Sequence, residues 1–404
     1  MALMSLHRSP ITTLSGALPL AALVLFGLLG GCDTDATSTI YDPDRPSLAV
    51  PVIDSVDPPG SALAGVDIVT ITGQNFSSVA AENYVYFDAT RAVLLEASPT
   101  QLRVVPPNEP KETAKVRVSV IGAVNFSNTI AYGLEAASSS FSDIKGFEEV
   151  FGVTSDADGN LYMSLFADSR SAGIKKVAPN GTRSDYVAST FKWDDLALGP
   201  DGYLYAARNI RALFRFQPGG GGVQETWAVN PLSTAKLATI DFDGDGYLWA
   251  GGNNADLYRI DPDKSITNFP FAVNVRSLKV WDGFLYVVGA EGITYKIWRF
   301  PLSAGTLGTP EVYFDFVQEV SATAQAIDLA FSAQGDLYVG TTLPDPVIVV
   351  HSDRSWESLY PGILKPVATA FAWGPDPFLY MVQGRTESTN ASLIRINTRT
   401  EKGR

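Results

Sequence analysis

The sequence predicts an all-β protein, a β-sandwich followed by a six-bladed β-propeller, and three observations predict it. Short runs of alternating apolar and polar residues fill residues 51–135, separated by turns rich in Pro and Gly. From about residue 136 onward, a Leu-aromatic doublet behind a tight turn recurs six times at an average spacing of about 44 residues. The 404 residues are 46% hydrophobic and 18% charged, with 35 Gly and 25 Pro, which supports a sizeable core with many turns and excludes global disorder.

Residues 1–31 read as a lipoprotein signal peptide. Arg8 is their one formal charge, and the apolar run from Leu14 to Leu29 is short of the roughly 20 residues a comfortable membrane span needs. The run ends in Leu28-Leu29-Gly30-Gly31-Cys32, which resembles a bacterial lipobox: an aliphatic residue, two small ones, then the cysteine that takes the lipid. The only cysteine of the chain stands there. An ordinary signal peptide followed by a stray cysteine is the alternative. Acylation at Cys32 by palmitate-like chains would supply a two-chain anchor and place the protein on a membrane of the bacterial cell envelope, periplasmic or surface-facing. Asp33 resembles the inner-membrane retention signal of enterobacterial lipoproteins, a rule that does not carry to all bacteria, so the choice of membrane stays open. Residues 32–50, polar and carrying two Pro, are expected to form a flexible tether.

Residues 51–135 form the first folded module. Ile68–Thr72, Tyr84–Phe87, Leu102–Val105 and Val116–Val120 read as strands, and six or seven such strands in about 85 residues suggest a sandwich. The stretches Pro51–Pro58, Val69–Phe76, Asn83–Phe87, Ser98–Leu102 and Ser127-Asn128 resemble the IPT/TIG family of immunoglobulin-like domains. That resemblance implies a spacer or protein-contact unit without a catalytic centre. At Gly73–Phe76 a turn is expected in which Gly adopts positive φ and Phe76 pins the turn to the core.

Residues 136–404 carry the repeat. Its anchors are Asp158–Tyr162, Asp201–Tyr205, Asp245–Trp249, Asp282–Tyr286, Gln334–Tyr338 and Asp376–Tyr380, with Leu-to-Leu spacings of 43, 44, 37, 52 and 42. Four strands in 40–45 residues make a propeller blade. The long spacing leaves room for an inserted loop around Ser303–Thr323. Only eight residues follow Ile396, so the last blade needs a fourth strand from elsewhere, and Ser138–Ile144 is expected to supply it and close the ring. The set resembles the NHL-repeat and gluconolactonase-like six-bladed propellers, a likeness that speaks for architecture and weakly for function.

Gluconolactonase-like members bind a divalent metal in the central channel through a Glu, an Asn and an Asp. Counting back from the anchors puts Phe151, Asp194, Ala238, Arg276, Ile327 and Thr369 at the matching places, and Gly152, Asp195, Thr239, Ser277, Asp328 and Ala370 one residue further on. Glu148 and Glu149 lie about two residues from the expected Glu. The family's triad is therefore not reproduced, although Asp194, Asp195 and Asp328 remain candidate metal ligands; the alternative is that they cap strand ends or face a solvated channel. Asp241, Asp243 and Asp245 resemble the opening of a calcium loop, but the twelfth position is Gly252, which excludes an EF-hand, and the stretch coincides with an anchor turn. Calcium is the one cofactor considered. His351 reads as a surface turn residue, and Gly219–Gly222 as a flexible turn rather than a phosphate cradle. Trp193 and Trp227, off the anchor pattern, are candidates for stacking on a sugar.

A net charge of −13 argues against nucleic acid and anionic lipid as direct partners. One cysteine and two histidines, His7 being in the leader, exclude an intramolecular disulfide and most zinc sites. The expected function is non-catalytic: a membrane-anchored protein presenting its propeller to a protein or carbohydrate ligand. The alternative is a metal-dependent hydrolase or lactonase acting through Asp194, Asp195 and Asp328.

Overall fold

The computed structural model describes residues 47–403 apart from 169, 254, 255 and 376. The leader, Cys32, most of the expected tether and Asp376 of the sixth anchor lie outside the described residues. Among those described, no helix is long and apolar enough to cross a membrane.

The sandwich is two sheets. One orders its strands as Val52–Asp57, Val69–Gln74, Gln101–Val105 and Val93–Ser98; the other as Ser61–Leu63, Ile130–Glu135, Lys111–Val120, Asn83–Phe87 and Thr90–Arg91. Seven of these are full strands and two are short additions, Ser61–Leu63 joining in parallel. Burial alternates along Asn83–Phe87, so Val85 and Phe87 enter a core shared with Ile71, Leu102, Val104 and Val118. Asn128 clips the first strand from the side, accepting the Ile53 N–H at 2.8 Å and donating to its carbonyl at 2.9 Å. Two expectations are corrected. Gly73 lies within a strand and Asn75 carries the positive φ of 61°. Glycine is needed at position 73 because a Cβ there would stand 2.0 Å from the Val52 carbonyl oxygen. Residues 48–50, expected to lie in the tether, join the sandwich instead: Leu48 bridges to Ala123, and the Val50 carbonyl accepts from Asn75.

The repeat builds six sheets whose innermost strands are Glu148–Ser155, Asp195–Leu198, Thr239–Phe242, Asn274–Trp281, Ala326–Phe331 and Ala368–Trp373, numbered here as blades 1 to 6. Each of these strands lies beside the next, and the sixth returns to the first, so the ring is closed. As expected, Ser138–Ser140 pairs antiparallel with Ser392–Asn397 and completes blade 6. The 52-residue spacing reflects a hairpin at Ser303–Thr306 and the short helix Phe316–Glu319 in blade 4.

The anchors explain why the unit repeats. All six leucines, Leu161 to Leu379, are fully buried, and their aromatic neighbours are nearly so. Gly159, Gly202, Gly246, Gly283 and Gly335 hold φ between 75° and 88°, the left-handed conformation the turn requires. An aspartate in three of the turns receives the polar tip of the aromatic: Asp156 from Tyr162 (3.0 Å), Asp201 from Tyr205 (2.9 Å) and Asp243 from Trp249 (2.8 Å). A buried phenol or indole is thereby satisfied where it would otherwise be costly.

Candidate functional site

The antiparallel order puts every anchor turn at one end of the channel, the lower, and the start of every innermost strand at the other, the upper. At the upper end each innermost strand carries a bulge. In blades 1, 4, 5 and 6 the register shifts around Phe151, Arg276, Ile327 and Thr369. In blade 2, Asp195 stands opposite Ala207 while the Asp194 N–H also reaches the Ala207 carbonyl; in blade 3, Thr239 and Ala238 share Gly251 in the same way. A bulge re-aims the side chain that it displaces. All six displaced residues line one cavity of about 480 Å³ at the upper mouth.

That cavity mixes apolar and charged walls. Phe151, Ala238 and Ile327 face it beside Arg276 and the Lys192–Asp194 ion pair (2.9 Å). The Lys192 ammonium also sits 4.2 Å from the centre of the Phe151 ring, a cation–π contact. Asn209 and Asn253 complete the polar part.

The next residue along each strand has another task. Asp195 of blade 2 accepts the Leu196 N–H (2.8 Å) and, from blade 3, the Thr239 hydroxyl (3.0 Å) and the Ile240 N–H (2.9 Å). Asp328 of blade 5 accepts the Ser277 hydroxyl of blade 4 (2.6 Å) and the Phe371 N–H of blade 6 (2.7 Å). Further down, Asp241 of blade 3 accepts the Val280 N–H of blade 4 (2.8 Å). These carboxylates clasp neighbouring blades where strands of different sheets cannot form a ladder. Burial pushes the Asp195 carboxyl up to about 6, with the Asp328 charge adding to the rise and Lys279, the Ile240 N–H and the Thr239 hydroxyl opposing it.

Asp194, Asp195 and Asp328 line the same cavity, but each is engaged by groups of the protein. Asp194 pairs with Lys192, and Asp195 and Asp328 clasp seams. Asp243 receives the N–H groups of Asp245 and Tyr247 and the Trp249 indole, and Asp245 is exposed on the turn. The calcium-like stretch thus divides between a seam and a turn. Glu148 forms a two-bond pair with Arg183 (2.7 and 3.1 Å), and Glu149 one with Arg385 (2.9 Å). Among the described residues no three of Asp, Glu, His or Cys form a group able to hold a metal ion. Trp193 and Trp227 are core residues, 0% and 5% exposed, which corrects the sugar-stacking expectation. The His351 ring meets Asp336 at 2.8 Å in a turn. Lys192, Asn209 and Asn253 escape the sequence reading because the upper loops that carry them vary in length and have no period.

At the lower end a cavity of about 290 Å³ is lined by Asp156, Asp241, Lys279, Trp373 and the C-terminal Lys402-Gly403. The tail is fixed there by the Ala333 N–H to the Glu401 carbonyl, the bridge of Lys402 to Ser332, and Tyr338 against Thr400. Arg399 reaches from the tail to the sandwich and grips Asp67 through both guanidinium nitrogens (3.0 and 2.6 Å).

The family model of the IPT/TIG domain matches residues 51–132, so the first module is a TIG domain. Solved structures of the same fold include an auxiliary nutrient binding protein from Bacteroides thetaiotaomicron (12% identity, 88% of this chain and 98% of that one, TM-score 0.53). A protein of the same organism provisionally described as a phosphatase matches with 12% identity, the same two coverages and a TM-score of 0.57. One provisionally described as a gluconolactonase matches at 17% identity over 66% of this chain and 93% of that one, with a TM-score of 0.51. At these identities the likeness establishes the fold alone. No curated protein matches the chain.

Proposed function

We propose that the chain is a lipid-anchored binding protein of the bacterial cell envelope, tethered through Cys32, whose TIG domain holds the propeller off the membrane and whose upper mouth engages a ligand. The observation that carries this reading is the upper cavity: about 480 Å³, where Phe151, Ala238 and Ile327 face a set of charged groups, Lys192, Asp194, Asp195, Arg276 and Asp328. A concave, largely preformed site in which polar groups converge beside apolar walls is the usual form of a small-molecule site. Of the carboxylates that a metal-dependent hydrolase would use, Asp195 and Asp328 serve as blade clasps and Asp194 pairs with Lys192, so the binding reading accounts for more of the residues present.

Two measurements test it. Metabolic labelling with palmitate should mark the native chain and leave Cys32→Ser unmarked. Calorimetric titration with calcium should give no heat; saturable binding lost in both Asp195→Asn and Asp328→Asn would replace this reading with the hydrolase.

A further inference from the structure

We infer that the upper mouth takes a zwitterion, a free α-amino acid or short peptide with an apolar side chain. This rests on the binding reading and names its ligand class. Arg276 is displaced by the blade-4 bulge and exposed into the mouth. Among the described residues its guanidinium makes no hydrogen bond or ion pair. A guanidinium presents a rigid fork of donors matched to a carboxylate. Asn209 lines the same cavity, its side-chain oxygen buried and without a donor in the protein.

The charges around these two groups select further. Asp194, Asp195 and Asp328 give the cavity three carboxylates against the two cations Lys192 and Arg276. A simple anion drawn to Arg276 would meet that excess of negative charge, and a simple cation would leave Arg276 unused. A ligand carrying both charges a few ångströms apart answers both: its carboxylate to Arg276, its ammonium to the acidic side. Phe151 and Ile327 then face the side chain. The volume suits one amino acid or a dipeptide with water.

The test is calorimetry on the full chain in detergent micelles with L-phenylalanine, 3-phenylpropionate, which lacks the ammonium, and 2-phenylethylamine, which lacks the carboxylate. L-phenylalanine should bind at least about tenfold more tightly than either analogue. Arg276→Ala should reduce phenylalanine affinity by at least about tenfold and leave 2-phenylethylamine binding unchanged, and Arg276→Lys should restore part of the loss. Arg276 is exposed, and an unaltered circular dichroism spectrum checks that the variants fold. Equal binding of all three probes, or no heat from phenylalanine and from the dipeptide Gly-Phe, overturns the inference. If those are silent while maltose gives heat that Phe151→Ala removes, the zwitterion fails and the binding reading survives; if maltose is silent as well, both fail.

Discussion

The two ends of the propeller channel are built from the same repeat and differ in what the repeat preserves. At the lower end the side chains are alike from blade to blade: a buried leucine, a buried aromatic, in five of the six turns a glycine at positive φ and, in three turns, an aspartate under the aromatic's polar tip. At the upper end the backbone is alike and the side chains are not. The same bulge recurs around the ring, yet it presents Phe, Asp, Ala, Arg, Ile and Thr in turn. Packing constrains the lower end because each anchor fills the gap between sheets. The upper end is free to vary because a bulge fixes only where a side chain goes.

This contrast can be broken by substitution. The largest effect belongs to the lower end: Trp249→Ala removes a fully buried indole that donates to Asp243 and should cost about 3–5 kcal/mol in urea unfolding. The clasps come next. Asp195 has its carboxyl raised from 3.8 to about 6, so the folded state holds a proton that the unfolded chain releases, and stability should fall as pH rises from about 4 through about 6. The full loss is up to about 3 kcal/mol by linkage, less where channel water reaches the carboxylate. Asp195→Asn should flatten that part of a plot of stability against pH; an unchanged slope would show that another group sets it. Asp328→Ala leaves the Ser277 hydroxyl and the Phe371 N–H without their acceptor and should cost about 2–3 kcal/mol. Phe151→Ala, at the mouth, should change stability by under about 1 kcal/mol while weakening ligand binding, the reverse of Trp249→Ala. The smallest effect is expected for Arg399→Ala, about 0–1 kcal/mol, because that pair to Asp67 is half exposed on the arginine side.

Much of the channel was legible because the anchors repeat. Counting back from each leucine arrives at Phe151, Asp194, Ala238, Arg276, Ile327 and Thr369, the six residues that the bulges turn into the cavity. The closing strand at Ser138–Ser140 was legible from an unfilled place in blade 6. What stayed hidden depends on contacts between blades. Nothing in the neighbourhood of Asp195 in the sequence announces Ile240, 45 residues on, as its hydrogen-bond partner. Asp241 and Asp243 looked like one loop because alternation along the chain resembles convergence in space; the strand sends the first to a seam and the turn uses the second. Gly73 signalled its importance correctly and its cause wrongly, since a carbonyl on the neighbouring strand, at Val52, sets the constraint.

The pairing of Ser138–Ser140 with Ser392–Asn397 has a consequence for biosynthesis. The segment that finishes the toroid leaves the ribosome first, and its partner follows about 250 residues later. At translation rates of roughly 5–20 residues per second, the nascent chain must wait on the order of 10–50 seconds with that segment unmatched. Throughout the delay it is carried directly behind a TIG domain that has everything it needs to fold, which keeps the earliest piece of the toroid fastened to a finished body until the last one arrives.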